Sequence, residues 1–351
     1  MLSNNSGKDG RTGFDDSVIG VISTDNSPKS GFSSLCHPPA LLCFTVMALM
    51  LAARLLADGL LSTLAAEVGA VPLLITVNLA AFLLPTLVFF LIYRKKDSAV
   101  LKAEKSRGSL RYIVSSLFLL IVCAMLTQSL RCYWFGAPVE NGARFSEIDT
   151  VPLLFCYAIL PAVLEECLFR GAVLRFYTAR CGGLCAVLIS AVLFSLSHFS
   201  GEDFLSYFIS GLILGFTAYV TGSLAAVTAL HLINNIFSLY LENAVFKIAT
   251  ESKSIVLMVF LLTALALLLL FWTLYEAEIL CKGKFLSAPK KTEEALPQDI
   301  SAPTAPHGTE SGFTRLIPQG QHFGQALLHA VLSPFFLGCI LIFLVYTLLI
   351  A

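Results

Sequence analysis

Residues 150–175 read TVPLLFCYAILPAVLEECLFRGAVLR. A helix of about 20 apolar residues crosses a bilayer, and this run is long enough to do so. Yet it carries Glu165, Glu166 and Arg170 well inside it, and Arg175 at its end. A charge at the centre of a membrane helix costs roughly 2.5–3.5 kcal/mol. Three facing lipid at that depth would cost on the order of 8–10 kcal/mol, so they must face protein or water. Glu166 and Arg170 are spaced i,i+4 and can pair along one helix face. Glu165 projects about 100° away from Glu166 and stands outside that pair.

The rest of the chain sets this helix among others like it. Of 351 residues, 57% are apolar and only 13% charged, whereas about a quarter are charged in an ordinary soluble domain. Apolar runs of spanning length lie near 39–57, 71–93, 110–130, 150–175, 184–200, 204–221, 224–241, 255–275 and 327–350. The expected fold is all-α: a polytopic integral membrane protein of about eight or nine transmembrane helices, bundled around a polar cavity. The run 256–274 is apolar almost all round, which predicts lipid exposure.

Composition divides the chain. Residues 1–37 are polar, rich in Ser, Gly and Asp, and read as a soluble tail without a signal peptide. Residues 38–275 form the membrane domain. Residues 276–325, rich in Pro, Ser, Thr, Lys and Glu, read as a disordered cytoplasmic linker, and 326–351 supply a further C-terminal transmembrane helix. A net charge of zero gives no reason to expect nucleic acid as a partner. Most cysteines, among them Cys43, Cys123, Cys156, Cys167 and Cys339, sit in apolar runs, where thiols behave as small hydrophobes. Cys181 and Cys185 flank Gly182-Gly183 without the spacing of a redox or zinc motif.

Lys and Arg in the connections set the orientation. Arg94, Lys95, Lys96, Lys102, Lys105, Arg107 and Arg111 form one cluster, Arg170, Arg175 and Arg180 another, and Lys282, Lys284, Lys290 and Lys291 a third. All fall on one side if the N-terminus is cytoplasmic. The other side then holds Arg131, Arg144, Lys247 and Lys253. The C-terminus is expected outside.

Two later spans carry further polar side chains. Phe194-Ser195-Leu196-Ser197-His198 ends one, and His231-Leu232-Ile233-Asn234-Asn235 lies in another, with His231 and Asn235 again at i,i+4. Each motif alone has a plainer reading: a structural ion pair with a spare carboxylate, a packing histidine, a polar pair bonding between helices. Depth joins them. With a turn at Gly182-Gly183, Glu165 and His198 lie about 25 Å and 22 Å of helix from it, so antiparallel neighbours bring them level. Counted from a turn near Gly222-Ser223, His231 and Asn235 lie about 12–18 Å deep. The four are expected in one layer, in a cavity open toward the cytoplasm. The polar break Ser200-Gly201-Glu202-Asp203 is tolerated at such a depth only where it lines water or protein.

These residues resemble the CAAX prenyl protease 2-like family, also called CPBP (CAAX proteases and bacteriocin-processing enzymes, Abi). Its pattern is EExxxR, FxxxH and HxxxN on three separate membrane helices. Here it reads Glu165-Glu166 with Arg170, Phe194 with His198, and His231 with Asn235, in order, and the resemblance covers about 145–243. It implies an intramembrane endopeptidase acting on a membrane-anchored or lipidated protein or peptide. Eukaryotic members trim the last three residues from prenylated proteins, and some bacterial members are linked to bacteriocin maturation. The resemblance implies Glu165 as general base acting with His198 on a water, His231 and Asn235 as oxyanion site, and Glu166 and Arg170 in support. No cofactor is expected. The alternative is a zinc ion held by Glu165, His198 and His231. Intramembrane Glu, His and Arg also mark proton-coupled transporters, and a non-catalytic binding protein is a third reading. The location implied is integral to a membrane, the cell membrane in a prokaryote.

Overall fold

The computed structural model describes residues 37–56, 62–96, 109–135, 150–240, 255–281 and 323–349. Among them every regular element is a helix: α1 (His37–Leu55), α2 (Ser62–Val68), α3 (70–96), α4 (Leu110–Phe135), α5 (150–181), α6 (Gly183–Ser197), α7 (Phe204–Thr221), α8 (Leu224–Tyr240), α9 (Ile255–Leu280), α10 (Phe323–Val331) and α11 (Pro334–Leu349). Six of these, α1, α3, α4, α5, α7 and α9, are long and apolar enough to cross a membrane. α6, α8 and α11 are apolar but shorter. Over the described residues the protein is an all-helical integral membrane protein. The tail before His37 and the stretch 282–322 lie outside the described residues.

Three boundaries differ from the sequence expectation. The last span is broken: Leu332 and Ser333 separate α10 from α11, because Pro334 opens a new helix whose first turn needs no N–H from it. α9 continues to Leu280, past residue 276, the expected start of the linker; Glu276 and Ala277 are buried, so the last turn is held by packing. α6 ends at Ser197, so that His198 caps the helix rather than lying within it.

α5 keeps Pro161 in its interior. Proline has no N–H to offer the preceding turn, and its ring crowds that turn. The helix widens to i→i+5 turns over Phe155–Ile159, just before the proline, and again over Cys167–Leu174. Such wide turns are frequent at functional sites. Here they bracket Leu160–Glu166, the turn that presents both carboxylates.

Gly182 reverses the chain after α5 with φ of 83°, a conformation that suits a residue without Cβ. α6 then returns antiparallel and packs tightly on α7. A Cβ added to Gly211 would sit 3.0 Å from the Cα of Ala191; small residues at such contacts let membrane helices approach closely. α9 packs on α4 through Leu262, Ala266 and Leu269. Its remaining faces leave Val256, Phe260 and Phe271 exposed, as its all-round apolarity predicts. α11 packs against α1 and α6.

Contacts sort the helix termini onto two ends of the bundle. At one, Gly183 at the start of α6 faces the Tyr219 ring near the end of α7, and Gly171 approaches Phe90 of α3 and Leu224 of α8. This is the Gly182 end. At the other, Arg131 near the end of α4 pairs with Glu202 at 2.7 Å and Asp203 at 3.1 Å, between α6 and α7. There, too, Arg54 at the end of α1 donates to the Tyr346 hydroxyl of α11 at 2.6 Å. This is the Arg131 end.

Candidate active site

Glu165 on α5, His198 after α6 and His231 on α8 are brought together from three helices. The Nδ1 of His198 lies 2.8 Å from the Phe194 carbonyl oxygen. A carbonyl can only accept, so Nδ1 carries the proton. The other nitrogen, Nε2, faces Glu165 Oε2 at 3.7 Å. Two rings fix the imidazole plane: Tyr207 stacks on it with centroids 3.7 Å apart and planes at 21°, and Phe194 lies 4.6 Å away. The next residue, Phe199, has φ of 56°, in the left-handed region that a bulky side chain enters at a cost of order 1–3 kcal/mol. Its ring is held by Tyr346, with centroids 5.1 Å apart, and by the Arg54 guanidinium.

His231 is oriented by charge. Its Nδ1 lies 2.7 Å from Glu166 Oε1, which also accepts from Arg170 Nη1 at 2.7 Å. Arg170 continues the chain of contacts, donating to the Gly211 carbonyl at 3.2 Å and lying over the Phe194 ring at 4.7 Å. The Glu166 and Arg170 side chains have no exposure, so this charge pair is fully desolvated. An ionised carboxylate only accepts, so His231 Nδ1 is the donor, and its Nε2 turns toward Glu165 Oε2 at 3.9 Å.

Glu165 Oε2 thus faces two Nε2 atoms. It is buried and accepts no hydrogen bond among the described residues. Both separations exceed hydrogen-bond length, and a water can sit within reach of the carboxylate and a ring nitrogen together. Asn235 is placed differently. It borders the same cavity, but its Nδ2 donates at 3.4 Å to the Ala158 carbonyl.

The cavity has a volume of about 810 Å³. Its lining includes Glu165, Phe194 and His231 together with Gln128, Gly201 and Tyr346. The expectation of a polar cavity open toward the cytoplasm placed the opening at the Gly182 end, with the basic connections. The lining runs instead toward the Arg131 end. α6, with 15 residues, is much shorter than α4, with 26. It stops at His198, and the following turn leaves a well between the longer helices.

Several lining residues are absent from the sequence-based set: Arg131, Tyr157, Tyr207, Asn234 and Ser238. Asn234 is visible beside Asn235 in the HLINN stretch. Tyr207 has no local signal, because its role depends on how α7 folds back on α6.

Zinc suits these donor types, and both Nδ1 atoms are already fixed by other groups, as in metal-bound imidazoles. Bonds of 2.0–2.2 Å in a tetrahedron, however, set ligand atoms roughly 3.4 Å apart, closer than the separations of 3.7 and 3.9 Å here. Among the described residues no group of three His, Cys, Asp or Glu meets the requirements of a metal site.

A helical bundle with a buried carboxylate–imidazole cluster at the end of a cavity defines a class: integral membrane proteins with an intramembrane polar site. Residues 147–237 match the family model described as type II CAAX prenyl endopeptidase Rce1-like, so this region of the chain is similar to that family. The matched region contains all seven motif residues, Glu165, Glu166, Arg170, Phe194, His198, His231 and Asn235. Comparison with curated proteins and with solved structures gave no match.

The Glu166 cluster makes a stability prediction. Glu166→Gln leaves the Arg170 charge buried without its counter-ion, and breaking a buried pair on one side costs about 3–5 kcal/mol. A markedly lower melting temperature of the purified protein in detergent is expected. Unchanged melting would mean that Arg170 has another anionic partner.

Proposed function

We propose that the protein is an intramembrane endopeptidase that hydrolyses a peptide bond of a membrane-associated or lipidated protein or peptide. The observation that carries this reading is Glu165 Oε2, buried and without a hydrogen bond among the described residues, facing two imidazole nitrogens in a cavity of about 810 Å³. In this reading a water lies between Glu165 and His198. Glu165 takes its proton as the oxygen attacks the scissile carbonyl carbon. The same proton then passes to the leaving amine as the C–N bond breaks.

His231 and Asn235 serve the oxyanion. Because Nδ1 of His231 is committed to Glu166, donation from Nε2 requires the ring to carry both protons. Among the described residues Asn235 Nδ2 bonds at 3.4 Å to the Ala158 carbonyl, and it can turn to a bound carbonyl. Glu166 and Arg170 position His231 without touching substrate. In the membrane, the short apolar helices α6, α8 and α11 count as spans beside the six long ones, giving about eight or nine, with the N-terminus in the cytoplasm.

The test compares membrane proteomes of cells carrying the wild-type protein and Glu165→Gln. Uncut substrate should accumulate in the variant. A purified protein that cleaves none of the accumulated candidates, and passes a substrate-dependent ion current instead, would establish the transporter reading. Chelation addresses zinc: exhaustive chelator treatment in detergent should leave the cleavage rate unchanged. A loss restored by stoichiometric zinc would reverse the metal-free mechanism.

A further inference from the structure

We infer that Arg54 and Tyr346 are positioning residues: they clamp Phe199 in a left-handed turn, and that turn holds His198 against Glu165. The inference rests on the protease reading for the reaction that the clamp serves.

α6 stops on a residue that is usually glycine and here is not. His198 keeps helical geometry, with φ of −84° and ψ of −12°, and Phe199 then turns left-handed at φ of 56°. Helices commonly end on such a residue, and glycine is favoured there because a Cβ is costly in that conformation. Among the described residues the other positive φ values belong to Gly69, Gly182 and Gly222. A bulky side chain stays in this region only where its surroundings over-determine it.

Those surroundings come from two distant helices. Phe199 is buried, and Tyr346 of α11 meets its ring at 65° with centroids 5.1 Å apart. The Arg54 guanidinium, from the last turn of α1, lies 5.3 Å from the centre of the Phe199 ring and 4.9 Å from that of Tyr346. It also donates to the Tyr346 hydroxyl at 2.6 Å. One cation therefore attracts both ring faces and is tied to one of the rings. α1 and α11 are themselves closely packed: a Cβ on Gly338 would lie 2.7 Å from the Phe44 ring. Arg54 and Tyr346 both fall outside residues 147–237, so the clamp is supplied by helices flanking the matched region.

The turn sets two parts of the site at once. It fixes the end of α6, where His198 Nε2 lies 3.7 Å from Glu165 Oε2. It also fixes the path into α7, which starts at Phe204 and lays Tyr207 on the His198 ring. Without the clamp, Phe199 relaxes to a right-handed conformation and His198 loses its register with Glu165. Small misplacements of reacting groups cost rate, so the loss belongs in kcat.

The experiment uses the full chain in detergent, with kcat and KM measured on a peptide that the wild type cleaves and Glu165→Gln does not. Phe199→Ala removes the ring and keeps the Cβ, whereas Phe199→Gly removes both. If the ring only filled space, glycine would be no better than alanine. The clamp gives the opposite order. Phe199→Ala should lower kcat by about 5–30-fold, the population ratio that matches the left-handed penalty of a residue with a Cβ. Phe199→Gly should lose far less, because glycine adopts this φ freely. Arg54 is not among the residues that line the cavity. Arg54→Ala should lower kcat with KM unchanged, and should cost nothing further when added to Phe199→Gly. Glycine as slow as alanine, an Arg54→Ala protein with wild-type kcat, an effect confined to KM, or an Arg54→Ala loss that persists beside Phe199→Gly would overturn the inference. Nitrogen NMR of protein labelled at histidine reads the clamp without turnover. The His198 signal, assigned by its absence in His198→Gln, should show the proton fixed on Nδ1 in the wild type and in Phe199→Gly. In Arg54→Ala and Phe199→Ala it should average over both nitrogens. If the spectra behave so while the wild type cuts no peptide, the protease reading fails and the clamp stands. A His198 signal unchanged in all of these variants would overturn the clamp.

Discussion

Glu165→Gln is expected to leave a protein that inserts and folds but cleaves its substrate at about 10²–10⁴-fold lower rate, the contribution of a positioned general base. The substitution keeps the shape of the side chain and removes the proton acceptor. Folding should survive because Glu165 Oε2 holds no hydrogen bond among the described residues. The charge cluster of Glu166, Arg170 and His231 is bonded within itself and does not include Glu165. Loss of rate with unchanged melting behaviour therefore separates Glu165 from its neighbour Glu166, whose replacement should damage both. Rates should be measured on one peptide, in detergent, at matched protein concentration. A Glu165→Gln protein with near wild-type turnover would remove Glu165 from the reaction and leave His198 or a bound ion to activate water.

Replacing either proposed oxyanion donor should lower kcat by about 10²–10³-fold with little change in KM. The reason is differential: a carbonyl oxygen demands more of a donor as it gains charge, so the interaction is worth most in the transition state. Asn235→Ala is the cleaner experiment. Its side chain makes one long bond to the Ala158 carbonyl, so little of the fold depends on it. His231→Ala also removes a donor from Glu166, and its melting temperature must be read beside its rate. The double substitution should cost less than the product of the single losses, since the two act on one atom. A rise in KM with kcat intact, in both single variants, would make the pair a substrate-binding contact and no more. In a transporter the same changes would weaken affinity for the carried species directly.

The helices were legible in the sequence because the bilayer demands long apolar runs and punishes charge within them. That rule alone marks 71–93 and 255–275, and singles out Glu165, Glu166 and Arg170 as residues needing protein or water around them. The i,i+4 spacing of Glu166 and Arg170 is a local geometric fact, and their 2.7 Å pair follows it. The turns at Gly182 and Gly222 were legible for the same reason: both residues have positive φ, a demand that glycine meets at least cost.

What the sequence could not hold is anything decided by contacts between helices. Glu166 and His231 are 65 residues apart, and nothing local says that one carboxylate would serve both Arg170 and His231. That contact fixes which nitrogen of His231 faces Glu165, and a backbone carbonyl does the same for His198. The stacking of Tyr207 on His198 arises only when α7 folds back along α6. Asn235 shares a helix face with His231, yet its amide lies against Ala158, because side-chain direction is set by the neighbouring helix and not by spacing alone. Depth counted along a helix brings residues to one level but is blind to which end of the bundle is filled. The short α6 leaves its space at the Arg131 end, and the packing of longer helices around that space decided where the cavity runs.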